Sequence, residues 1–190
     1  MDYRITEASP DDASFIAEGV MDAIGEEICA QIGGGIENLP KIKELFTFLA
    51  SNSTSQYSYR NSLIALAPNG ERAGVIIAYD GACLHRMRED FVEKYNELFA
   101  ADLKESEMDD ETTPDQIYID TLMVSKSHRR QGLGGKLIEA MVERHRNGGK
   151  PIGLLVDFSN PNARKLYVKM GFESKGTKRF CGVDMEHMQK

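Results

Sequence analysis

Apolar residues fall along this chain either in short continuous runs or at every third to fourth position, and the switches between the two mark out its elements. Residues 3–6 read as a short strand. Ser9-Pro10-Asp11-Asp12 reads as a helix start, with Ser9 as N-cap and Pro10 in the first turn. Phe15, Ile16, Val20 and Ile24 follow at helical spacing, and Gly33-Gly34-Gly35 breaks the chain. A second helix is expected after Pro40, with Ile42, Leu45, Phe46 and Leu49 on one side. Residues 62–67 and 73–79 are strand-like, and Pro68-Asn69-Gly70 between them predicts an antiparallel hairpin.

Residues 84–101 return to helical spacing, with Leu84, Met87, Phe91, Tyr95 and Leu98 about one turn apart. Residues 102–115 contain almost no apolar side chains and predict an exposed, mobile loop. The clearest strand is 116–124. A helix is expected from Gly132 to about Asn147, its apolar face Leu133, Leu137, Ile138, Met141 and Val142, ended by Gly148-Gly149. Residues 151–157 predict another strand, and 160–170 a helix with Pro161 in its first turn and Gly171 at its stop. The tail from Phe172 reads as two strands with a turn near Lys178. The order is mixed α/β, without repeats or an evident linker, and the 190 residues suit a single domain with a sizeable core.

The formal net charge of −7 argues against a large nucleic-acid surface, which needs clustered Lys and Arg. No run approaches the roughly 18 apolar residues of a membrane span, and the first residues do not resemble a signal peptide. Cys29, Cys83 and Cys181 are far apart and odd in number, which gives neither a disulfide framework nor a zinc site. They are expected to be free and buried, in a reducing cytoplasm. Cys83-x-His85 reads as structural rather than as a catalytic pair.

Between the clearest strand and the next helix lies Val124-Ser125-Lys126-Ser127-His128-Arg129-Arg130-Gln131-Gly132-Leu133-Gly134-Gly135-Lys136. Glycines at a helix start let backbone N–H groups approach an anion, and the helix dipole favours negative charge there. Five basic or imidazole side chains cluster on this loop in an otherwise acidic chain. A dinucleotide fingerprint fails because Leu137 stands where its third glycine belongs. A P-loop fails because Leu137 also follows Lys136, and Arg130 replaces the leading glycine. What remains, Arg129-x-x-Gly132-x-Gly134 after a strand, resembles the acetyl-CoA pyrophosphate loop of the GCN5-related N-acetyltransferases (GNAT). Asn160-x-x-Ala163-x-x-Leu166-Tyr167-x-Lys169-x-Gly171-Phe172 resembles the other conserved block of the same family. The resemblance spans 116–172; the N-terminal part agrees only in its order of elements.

The resemblance implies the GNAT acyl-CoA N-acyltransferase fold. This is a bent mixed sheet with helices on both faces, in which strands 116–124 and 151–157 splay apart around acetyl-CoA. It implies pantetheine contacts at Leu122, Met123 and Val124, with an oxyanion donor near Met123. The pyrophosphate would lie on Gln131, Gly132, Leu133, Gly134 and Gly135, with Arg129 and Arg130 nearby and Asn160 helping to hold the cofactor. Tyr167 is the implied general acid. Asp120, two residues before Leu122 and expected on the same face, is the candidate general base, with pairing to Arg or Lys as its alternative. Tyr118 shares that face. No metal is implied, and direct transfer needs no cysteine nucleophile. Dimers are common in the family, but this sequence fixes no interface.

The implied reaction is acetyl transfer from acetyl-CoA to an amine. A non-catalytic acyl-CoA-binding module, or a transferase for another acyl group or an oxygen acceptor, stays open. About 35 residues separate the hairpin from the glycine-loop strand, where simpler family members have a short connection. From 102 to 115 this insertion carries Asp102, Glu105, Glu107, Asp109, Asp110, Glu111 and Asp115 against Lys104 alone. The expectation is either an acidic border to the acceptor site favouring a cationic amine, or a solvated loop.

Overall fold

The computed structural model describes residues 2–190. Seven strands form one sheet: β1 (Arg4–Glu7), β2 (Ser62–Leu66), β3 (Arg72–Asp80), β4 (Ile117–Val124), β5 (Ile152–Asp157), β6 (Glu173–Phe180) and β7 (Val183–Gln189). Their order is β1-β2-β3-β4-β5-β7-β6. Every pairing is antiparallel except β4 with β5. The helices are α1 (Ala13–Ile24), α2 (Glu26–Gly33), α3 (Leu39–Ser51), α4 (Leu84–Phe99), α5 (Leu133–His145) and α6 (Pro161–Lys169). None among the described residues is long and apolar enough to cross a membrane.

Strand alternation assigns the two sheet faces to different helices. Leu63 and Ala65 of β2, with Ile76 and Ala78 of β3, face Leu133, Leu137, Ile138 and Met141 of α5. Ile64, Val75 and Ile77 face the other way, against Ile16 and Val20 of α1 and Leu45, Phe46 and Leu49 of α3. Helix α1 lies so close to the sheet that a Cβ on Gly19 would come within 2.4 Å of Val75 Cγ1. The element order predicted a mixed α/β domain, and the sheet with helices on both faces is the one that the resemblance implied.

Two local expectations are corrected. The stretch ahead of Gly33 is two helices, because Gly25 at φ 87° ends α1 and opens α2. The tail turn lies at Cys181-Gly182 rather than Lys178. Those two residues supply the consecutive positive φ angles, 49° and 77°, that a tight hairpin turn requires. Cys181 is consequently exposed, whereas Cys29 is buried and Cys83 half-buried.

Candidate active site

The parallel strands β4 and β5 are paired only at Ile117–Ile152 and Tyr118–Gly153. Beyond these, β4 stays bonded to β3 as far as Val124, and β5 to β7 as far as Asp157. The two strands therefore part, and the β5-facing edge of β4 from Ile119 to Val124 has no strand on it. The opening starts at a bulge. Ile77 pairs with Thr121 and Ala78 with Ile119, so Asp120 is the extra residue on β4. A bulge bends its strand, increases local twist and re-aims a side chain.

Beyond the end of β4 the chain turns through the glycine loop into α5. Gly132 takes the left-handed conformation at φ 76° as the N-cap of α5, with open space where a Cβ would stand. The first intrahelical bond of this turn runs from Lys136 N–H to Gly132 O at 3.3 Å. The preceding N–H groups of Leu133, Gly134 and Gly135 sit in the first turn, where a helix has no carbonyl to offer them. Gly134 also serves packing, since a Cβ there would lie 3.1 Å from Leu166 Cδ2 of α6.

The basic cluster divides into engaged and exposed side chains. His128 is buried beneath the loop, its Nδ1 3.0 Å from the Tyr3 hydroxyl, which also donates to Gln131 Oε1 at 2.9 Å. Arg129 is tied down, donating from Nε to Val124 O and from Nη2 to Asp22, each at 2.8 Å. Lys126, Arg130 and Lys136 are exposed. Tyr3, near the start of the chain, thus braces a loop about 125 residues away, and no motif could have announced it.

Helix α6 is capped by Asn160, whose side-chain oxygen accepts from Ala163 N–H at 3.1 Å. Arg164 fixes the helix to β7 through two bonds to the buried Glu186, at 2.6 and 3.0 Å. On this helix Tyr167 packs edge-on to Phe172, with ring centres 5.9 Å apart. Burial pushes its phenol up to about 12.

Asp120 does not share a face with Leu122. The bulge resets the alternation: Leu122 and Val124 pack on the α5 side, as Ile117 and Ile119 do. Asp120 instead faces the polar group around Tyr79 and Tyr118, whose rings meet edge-to-face at 5.8 Å. Desolvation, and then the nearby Glu111 charge, raise its carboxyl to about 7, against hydrogen bonds from Thr121 and Tyr79 that favour the ionised form. Tyr118 does stand beside Asp120, and its own phenol is pushed well up by burial.

The acidic insertion is anchored, contrary to the expectation of a wholly exposed loop. Arg88 of α4, only 1% exposed, donates to Asp109 O at 2.5 Å, to Asp110 Oδ1 at 3.0 Å and to Glu111. Glu111 is 4% exposed and also accepts from the Tyr79 hydroxyl at 2.5 Å. Asp109 receives the Cys181 N–H at 2.9 Å, so the loop bridges α4 to the β6–β7 turn. Its other acids stay at or near the surface, and His85 lies beside Glu105 and Asp110. The apolar spacing of α4 said nothing of a buried arginine, and an acid in a run of acids carries no sign that it is the one turned inward.

A bent mixed sheet, parted between two parallel strands, with a helix N-terminus at the mouth of the gap, is the architecture of an acyltransferase. The sequence model described as the acetyltransferase (GNAT) family matches residues 41–172. A solved acetyltransferase is 30% identical, with 98% of each chain covered and a TM-score of 0.80. An N-acetyltransferase from Staphylococcus aureus Mu50 is 25% identical, covering 98% of this chain and 100% of that one, also at a TM-score of 0.80. The aminoglycoside acetyltransferase AAC(6')-Ib in complex with coenzyme A shares the fold at 22% identity and a TM-score of 0.61, covering 100% of this chain and 94% of that one. The chain belongs to the GNAT acetyltransferase family and is an acyltransferase.

Proposed function

We propose that the protein moves the acetyl group of acetyl-CoA directly to an amine within a ternary complex, residues 1–190 acting as one domain. The observation that carries this is the place of Asp120 at the bulge where β4 and β5 part, where desolvation raises its carboxyl to about 7. A base with that proton affinity is half ionised near neutrality and suited to take the proton from an ammonium ion.

The residues present fit acetyl-CoA. The free edge of β4 at Leu122, Met123 and Val124 offers backbone groups to a pantetheine arm. The N–H groups of Gln131, Gly132, Leu133, Gly134 and Gly135, with the α5 dipole, suit a pyrophosphate. Arg130 would add charge there, and Arg129 would chiefly shape the loop, because Val124 and Asp22 already hold it. Asn160 would act through the α6 start that it caps. Acetyl-CoA supplies an activated acetyl group on a thiol leaving group.

Asp120 would accept the proton from the amine, directly or through one water, as the nitrogen forms its bond to carbon. A backbone N–H near Met123 would stabilise the oxyanion. Tyr167 would hydrogen-bond the departing sulfur. A phenol near 12 transfers its proton to a thiolate near 8.5 only uphill, by about 5 kcal/mol, so hydrogen bonding is the stronger role. A mere CoA-binding module would need neither group.

A cationic amine suits the acids of the insertion left near solvent, Asp102, Glu105, Glu107, Asp109 and Asp110. AAC(6')-Ib, a distant match, has been solved with coenzyme A and kanamycin. Neutralising these acids should raise the acceptor KM and leave acetyl-CoA affinity alone. An unchanged KM would make the loop solvated surface. The cytoplasm suits three unpaired cysteines.

Thermal melting with CoA, acetyl-CoA and NAD tests the cleft. A ligand at 100 times its Kd adds about 2.7 kcal/mol, or roughly 5–11 °C for a chain of this size. Shifts with both CoA compounds and none with NAD are expected. A cooperative melt unmoved by either CoA compound would sink the reading.

A further inference from the structure

We propose that Glu111, carried by the insertion, is a positioning residue for the transfer reaction, acting on Asp120 through the Tyr79 hydroxyl and held in place by Arg88. The proposal rests on Asp120 being the proton acceptor. Three elements converge on that carboxyl. Strand β4 brings Asp120, Tyr118 and Thr121. The neighbouring strand β3 brings Tyr79. The last turn of the insertion brings Glu111, which α4 secures through Arg88.

The Tyr79 hydroxyl has a single proton and two carboxylates to serve. It donates to Glu111 Oε1 at 2.5 Å and also stabilises ionised Asp120. A second negative charge in a desolvated site makes Asp120 harder to ionise, the like-charge effect that separates carboxyl pairs. Arg88 holds the other carboxylate oxygen of Glu111, Oε2, with Asp110, Asp109 O and Glu105 as its further partners, so it secures Glu111 while only partly offsetting that charge at Asp120. Tyr57, whose phenol burial also pushes up, and Cys181, whose thiol is pushed up by burial and by the Asp109 and Glu111 charges, are further titratable groups near the pair.

Without Glu111, Asp120 would be ionised at a lower pH and would be a weaker base. The insertion that the sequence marks only as acidic therefore contributes to the chemistry, beyond bordering the acceptor.

The test is a titration of the free protein labelled with ¹³C at the Asp side-chain carboxyls and followed by NMR, with D120N assigning the signal. The wild-type midpoint is expected at about 7. E111Q, which keeps the shape and can still accept from Arg88, should lower it by about one pH unit. Y79F, which removes a donor that favours ionised Asp120, should move it upward. An E111Q midpoint equal to that of wild type would overturn the proposal. If E111Q does not fold, Y79F decides, and an unmoved midpoint there would overturn the proposal. Failure of the underlying reading would look different: D120N would turn over acetyl-CoA and amine like wild type while the E111Q shift persisted.

Discussion

Replacing Arg88 with Met keeps much of the side-chain volume and removes the charge. Arg88 is 1% exposed and its guanidinium joins Asp109 O, Asp110 and Glu111, with Glu111 itself 4% exposed. Taking one partner from a buried ion pair leaves the other charge uncompensated, which costs about 3–5 kcal/mol. For a chain of this length each kcal/mol moves the midpoint by about 2–4 °C, so R88M should melt roughly 6–20 °C below wild type. Removing both partners in R88M/E111L should recover much of the stability, because an apolar pair of similar volume is often as stable as a buried ion pair. Thermal denaturation by circular dichroism at pH 8 is the assay. An R88M midpoint within about 2 °C of wild type at pH 8 would refute the claim that this pair anchors the insertion.

D120N should lose about 10²–10⁴-fold in kcat and the acidic limb of the pH profile, where wild-type kcat/KM falls tenfold per unit below about 7. The folded-state affinity of Asp120 is raised, so its stabilising contribution is complete below about 4 and lost as pH rises through about 7. D120N should therefore be more stable than wild type at pH 8, by at most about 4 kcal/mol; denaturant titration at pH 5 and pH 8 checks the sign. Y167F should lower kcat by about 10–100-fold, the worth of one hydrogen bond to a charged acceptor, with CoA affinity unchanged by calorimetry. G134V would force Leu166 away from α5 and should cost about 1–3 kcal/mol in stability, together with weaker CoA binding.

Those parts of the fold that rest on local chemistry were legible in the sequence. Apolar runs marked the β2–β3 hairpin and β4, which are covered on both faces, helical spacing marked α5, and Pro161 with Gly171 marked α6, each to within a few residues. The glycine loop and the block around Tyr167 were readable because a helix start beside an anion demands particular residue types. What escaped depends on long-range placement. One inserted residue in β4 turned Asp120 away from Leu122, and strand alternation cannot show a bulge. Glu111 looked like any other acid until Arg88, 23 positions earlier, was seen buried against it. Arg129 read as lying by the pyrophosphate and His128 as part of the basic cluster, yet Tyr3 engages His128, and Val124 and Asp22 engage Arg129. Cys181 was expected inside and lies on a surface turn, because the turn's position depends on two positive φ angles.

Direct acetyl transfer is tested most directly by initial-rate kinetics of CoA thiol release, with acetyl-CoA and a panel of polyamines and aminoglycosides, each product confirmed by mass. Thiol release that requires the amine, intersecting double-reciprocal lines and no acetylated enzyme in rapid-quench samples are the predicted result. Parallel lines with an acetyl-enzyme would contradict direct transfer, and tight CoA binding without turnover of any amine in the panel would favour a binding module instead.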